Sequence, residues 1–100
     1  MSGEAIESSV EVAGTAVLEN AVGLHARPSV KLTQLAKSFA ARVELALSPA
    51  GPWSDAKSPV KVMRVKAPKG TTLHFRACGE DAPAALAALV ALVESRFGED

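Results

Sequence analysis

Residues 23–28 read Gly-Leu-His-Ala-Arg-Pro, and His25 and Arg27 are the pair in this chain best suited to handle a phosphoryl-like anion. A neutral imidazole is a nucleophile, and histidine is the side chain that ordinarily changes charge near neutral pH. A guanidinium two residues on can grip two oxygens of the same group. Pro28 belongs in a first helical turn and disfavours helical geometry for the residue before it, so His25 falls at or just before a helix N-terminus. First-turn amides and the helix dipole make such a place an anion site. Gly23 permits a tight turn and close backbone approach. The segment has no carboxylate to activate water and no metal-ligand set, so it is built to hold and hand over rather than to hydrolyse. Taken alone, the same spacing also fits an ordinary loop histidine beside a solvated arginine.

The elements around the segment must position it. Residues 10–19 favour extension, with Val12, Ala16 and Leu18 in register and turn chemistry at 20–23. A helix over 27–39 places Leu32, Leu35, Ala36 and Phe39 on one stripe. Val43, Leu45 and Leu47 alternate with polar or small residues in a half-buried strand. Residues 48–54, with Pro49, Gly51 and Pro52, are a loop. A weak edge strand falls near 55–57. Ser58-Pro59 opens a short helix over 59–66, the hydroxyl capping and the proline at the first position. Leu73, Phe75 and Ala77 alternate in the last clear strand. Asp81 caps a final helix whose stripe is Leu86, Leu89, Val90, Val93 and Phe97, with Gly98 just past its end. Each clear strand has one apolar and one wet face. The expected fold is therefore α+β, an antiparallel sheet covered on a single face by helices.

Composition narrows the function. One hundred residues make one domain, with residues 1–9 as a flexible leader and 10–100 as the folded unit. Lys+Arg and Asp+Glu are 11 each, so no basic field exists to hold nucleic acid. The single cysteine, Cys78, cannot form an internal disulfide, and no metal or other cofactor is expected. The longest apolar stretch, 82–93, is too short to span a bilayer and contains Pro83, so no membrane insertion is expected. The N-terminus lacks the basic start and apolar run of a secretion signal. These features point to a cytoplasmic chain.

The motif Gly23-Leu24-His25-Ala26-Arg27-Pro28 with Ala36-Lys37-Ser38-Phe39 resembles the active-site segment of the HPr family, the histidine-containing phosphocarriers of the bacterial phosphoenolpyruvate-dependent phosphotransferase system. The likeness continues through Ala56-Lys57-Ser58, Lys69-Gly70-Thr71 and Gly79-Glu80-Asp81, and spans roughly residues 10–97. It implies a β-α-β-β-α-β-α open-faced β-sandwich, with a four-stranded antiparallel sheet and three helices on one face. It implies a phosphoryl carrier rather than an enzyme with its own turnover. His25 would be loaded on Nδ1 by an enzyme I-type donor, with Arg27 assisting and the amides of Ala26 and Arg27 cradling the oxygens. The group would pass to a downstream phosphotransferase-system protein, as in sugar transport. Pro28, Lys31, Val60, Lys61 and Met63 are the candidate docking residues, whereas Val62 reads as core. The chain is expected to be a monomer.

Ser58 falls where some members are phosphorylated by a regulatory serine kinase, although its capping role suffices to explain it. Pro59, Lys61 and Lys66 depart from the family pattern there. The other reading of the resemblance is a regulatory interaction module in which partner binding, not transfer, is the main role; intact His25 and Arg27 speak against it. Trp53 fits either partner contact or packing over the sheet edge. His74 should face solvent on its strand, and Cys78 is a small filler.

Overall fold

The computed structural model describes residues 11–98, so the leader expected at 1–9 lies outside the described residues. Strand β1 spans Glu11–Val17, helix α1 Ala26–Lys37, β2 Arg42–Ala46, β3 Ser54–Asp55, α2 Pro59–Val65, β4 Thr72–Cys78 and α3 Ala82–Glu94, followed by a 3-10 turn at Arg96–Gly98. The strands form one sheet in the order β1-β4-β2-β3. All three pairings are antiparallel, with Glu11 opposite Cys78 at one end of β1 and Val17 opposite Thr72 at the other.

The alternation read from the sequence sets the two faces. Ala16, Val43, Leu45, Leu73, Phe75 and Ala77 are buried in one cluster with Leu32 and Ala36 of α1, Val62 of α2, and Ala85, Leu89 and Val93 of α3. Polar neighbours on the same strands, Thr15, Glu44, His74 and Arg76, stay wholly or partly accessible. This is the α+β open-faced sandwich, with its four strands and three covering helices. On the uncovered face, Arg76 Nε donates to Glu44 Oε1 at 2.6 Å, and the same guanidinium lies 4.2 Å from the Trp53 ring centroid. Trp53 therefore packs over the sheet through a cation–π contact.

Several boundaries differ from the sequence reading. Helix α1 stops at Lys37, where the Ser38 amide donates back to Leu35 and Ala36 carbonyls and ends the turn. Strand β2 stops at Ala46, which is buried, while Leu47 is 47% exposed. The tight turn closed by Gly51 N–H donating to Ser48 O begins at once and breaks the alternation. The edge strand is Ser54–Asp55, because Asp55 Oδ1 accepts from the Lys57 amide at 2.9 Å and turns the chain into α2. Helix α2 ends at Val65, with Lys66 in the left-handed conformation at φ 53°.

Phe97 reaches the core, as its place in the apolar stripe suggests, but not from the helix. Helix α3 ends at Glu94, and Phe97 turns inward from the 3-10 segment at φ 58°. Asp81 holds the N-cap position of α3 without a side-chain cap bond. Its carboxylate accepts from the amides of Ala40 at 2.8 Å and Ala41 at 2.7 Å. Two bonds donated by amides of the α1–β2 connection to this charged acceptor outweigh one cap bond.

Candidate functional site

His25 is the N-cap of α1, with extended backbone at φ −97°, ψ −164°, and its side chain makes no capping hydrogen bond. The ring is exposed. Its carbonyl accepts from the Ser29 amide at 2.9 Å, which closes the first turn. Pro28 has no N–H to give, so the first-turn N–H groups at this helix mouth come from Ala26 and Arg27. Both residues are exposed next to the ring. Nucleophile, guanidinium and outward amides thus meet at one helix mouth, as the spacing implies.

The approach to His25 is a cleft of about 590 Å³. Leu24, His25 and Ala26 form one wall, and Met63, Lys66 and Ala67, at the end of α2 and just beyond it, form the other. Two of its lining residues are apolar and exposed, Val22 at 57% and Met63 at 40%, and Val60 on the same helix as Met63 is 55% exposed. Lys61 is also exposed. Val62 points the other way and is fully buried.

Two residues expected on the docking face are placed elsewhere. Pro28 is buried, because the first turn of α1 packs down on the core, so its ring sets the helix start instead of meeting a partner. Lys31 turns across the molecule, and its ammonium donates to the Phe97 carbonyl at 2.7 Å. A basic side chain there satisfies a carbonyl of the 3-10 turn and ties α1 to it. Ser58 caps α2 and accepts from the Lys61 amide at 3.3 Å, the structural role expected of it. Among the described residues, no group of three or more His, Cys, Asp or Glu side chains could hold a metal ion, and no helix is long and apolar enough to cross a membrane.

Sequence reasoning missed Val22, Ala67 and Asn20. Asn20 is buried, and its Nδ2 donates to the Gly23 carbonyl at 2.7 Å. The available signal was its place at the head of the turn, where asparagine reads simply as a turn former.

Fold and site together define a small open-faced-sandwich phosphocarrier. The family model described as "PTS HPr component phosphorylation site" matches residues 12–95. The phosphocarrier protein HPr of Cupriavidus necator is 45% identical over 80 residues, covering 80% of this chain and 88% of that protein. The phosphocarrier protein NPr of Escherichia coli K12 is 36% identical over 86 residues, covering 86% and 94%. Among solved structures, HPr from Thermoanaerobacter tengcongensis superposes with a TM-score of 0.81 at 32% identity, covering 89% of this chain and 98% of that one. The chain belongs to the HPr family of phosphotransferase-system phosphocarriers, proteins that carry a phosphoryl group and are not catalysts in their own right.

Proposed function

We propose that His25 is the residue that carries the phosphoryl group, accepting it from an enzyme I-type donor and passing it to a downstream phosphotransferase-system protein. The observation that carries this reading is the exposed, uncapped His25 ring at the mouth of α1, beside Arg27. In loading, a ring nitrogen of neutral imidazole forms a bond to phosphorus as the donor's bond to phosphorus breaks. The other ring nitrogen keeps its proton, and no water is consumed. Arg27 and the amides of Ala26 and Arg27 hold the phosphoryl oxygens while the group changes hands. In unloading the same bond breaks toward the acceptor.

Both exchanges need a partner to close over His25. Val22, Val60 and Met63 supply the apolar part of that contact, and Lys61 the charge for an acidic partner. The exposure of these residues supports a docking face on α2 and the 20–25 segment. The free Cys78 fits work in a reducing cytoplasm.

Mixing the protein with enzyme I and labelled phosphoenolpyruvate tests the assignment. The expected result is one acid-labile, base-stable phosphate per chain, absent from His25→Ala. Labelling of His25→Ala to the same extent would move the carrier site elsewhere.

A further inference from the structure

We infer that Asn20 is a positioning residue for phosphoryl transfer, acting through the turn that delivers His25; this rests on His25 being the carrier. Asn20 is 1% exposed, and its two hydrogen-bonding sides are unequally used. Nδ2 donates to Gly23 O at 2.7 Å, whereas Oδ1 is buried with no hydrogen-bond partner among the described residues. A buried carboxamide with an unsatisfied oxygen costs stability, and an apolar side chain would avoid that cost. The bond to Gly23 is what the amide contributes in return. With the Gly23 amide donating to Asn20 O at 3.1 Å, it closes the turn from both sides.

That turn is seated on the connection between α2 and β4. The Leu24 amide donates to Ala67 O at 2.8 Å. At Gly23, φ is +65°, and a Cβ would lie 2.5 Å from Ala67 O and 2.9 Å from Lys69 N. At the other end of the segment, Leu18 N–H donates to Thr71 O and Gly70 N–H donates to Leu18 O. Residues 18–24 are thus fastened along 67–71, and His25 is the first residue past the last fastening. Asn20 is the one buried side chain that holds the intervening turn in shape. Loosening it would free the backbone that aims the imidazole, and Val22 with it, while leaving the α2 part of the docking face in place. Misplacement of a reacting group by even 1 Å can cost on the order of a hundredfold in rate.

The test is rapid-mixing transfer from phosphorylated enzyme I to the full chain at varied chain concentration. It uses the unsubstituted protein, Asn20→Ala, and Leu89→Ala, a core truncation on α3 away from the cleft. Asn20→Ala is expected to lower the limiting transfer rate about tenfold, with a smaller change in the half-saturating concentration, since α2 keeps its part of the docking face. Leu89→Ala should melt earlier yet transfer at the unsubstituted rate. Full-rate transfer by Asn20→Ala overturns the inference, as does an equal loss in Leu89→Ala, which would trace the effect to stability. Amide exchange of the unsubstituted protein adds a reading that needs no variant to fold. The Leu24 N–H should be protected as strongly as core strand amides, and exchange at free-chain rates would overturn the inference. An unsubstituted chain that takes no phosphate ends the carrier assignment, and this inference with it.

Discussion

The Leu24 amide donates to the Ala67 carbonyl at 2.8 Å, so the residue next to His25 is bonded directly to the chain leaving the second helix. One wall of the cleft is thereby fixed to the other. A partner that grips α2 at Val60 and Met63 meets His25 at a set distance, because neither wall can move far without breaking this bond.

Gly23→Ala tests that seam. The new methyl would meet the Ala67 carbonyl at 2.5 Å on a backbone with φ +65°. A destabilisation of about 2–3 kcal/mol is expected from the left-handed backbone and the clash together. Urea unfolding, followed by circular dichroism, measures it.

Arg27→Ala should fold like the parent, since Arg27 is exposed on the first turn of α1. If Arg27 grips the phosphoryl oxygens as proposed, its loss should slow loading from enzyme I by about ten- to a hundredfold. Quench-flow labelling reads the rate, and a melting curve that stays cooperative confirms the fold.

Asp81 links three elements, and it gives stability a pH dependence. Its pKa lies below the ordinary aspartate value, chiefly because the Ala40 amide donates to the carboxylate, with the Ala41 amide and the charge of Lys57 adding to the effect. A folded-state pKa lowered in this way stabilises the protein above the unfolded value and is lost as pH falls through the folded one. Asp81→Asn should therefore melt earlier than the parent at pH 7. The difference should shrink as pH drops below about 4, where the unfolded carboxylate protonates first and the folded one follows at lower pH. Melting temperatures of both proteins between pH 2.5 and pH 7 would show this.

Lys66→Gly should stabilise the fold by about 0.5–1 kcal/mol, because glycine takes the left-handed C-cap conformation without the side-chain penalty. Lys66 holds that conformation at φ 53°. A higher urea midpoint with an unchanged slope is the expected readout.

Trp53 is the only tryptophan, so its fluorescence reports the contact with Arg76. Arg76→Ala should increase acrylamide quenching of Trp53 and cost about 0.5–1 kcal/mol.

Much of this was legible in the residues. Pro28 marks the start of α1 by its own covalent geometry, which fixes His25 at the N-cap to within a residue. The period-2 alternation of Leu73, Phe75 and Ala77 identifies the buried face of β4. What the sequence hides are relations that depend on distant chain. Nothing local to Lys31 shows that its ammonium reaches the Phe97 carbonyl, and nothing at Asp81 shows that its carboxylate serves Ala40 and Ala41 and not its own helix. Leu47 continued the pattern of β2, but the turn at 48–51 took it out of the sheet. Phe97 kept its place in the stripe by a different route, since its burial depends on the hydrophobic pocket and not on helix continuity. Asn20 reads locally as a turn former, because nothing in the residues around it decides whether a turn asparagine is buried.

The strand order also bears on how the protein matures. Among the described residues strand β1 pairs with β4 alone, and β2 pairs with β4 and the short β3, so β4 is the strand on which the sheet is assembled. A nascent chain emerging from the ribosome carries β1 without a mate until residues 72–78 have been synthesised, and Phe97 closes the core later still. Such non-local pairing slows folding and leaves strand edges open during translation. The helix mouth at residue 25 likewise gains its facing wall only once Ala67 has been made.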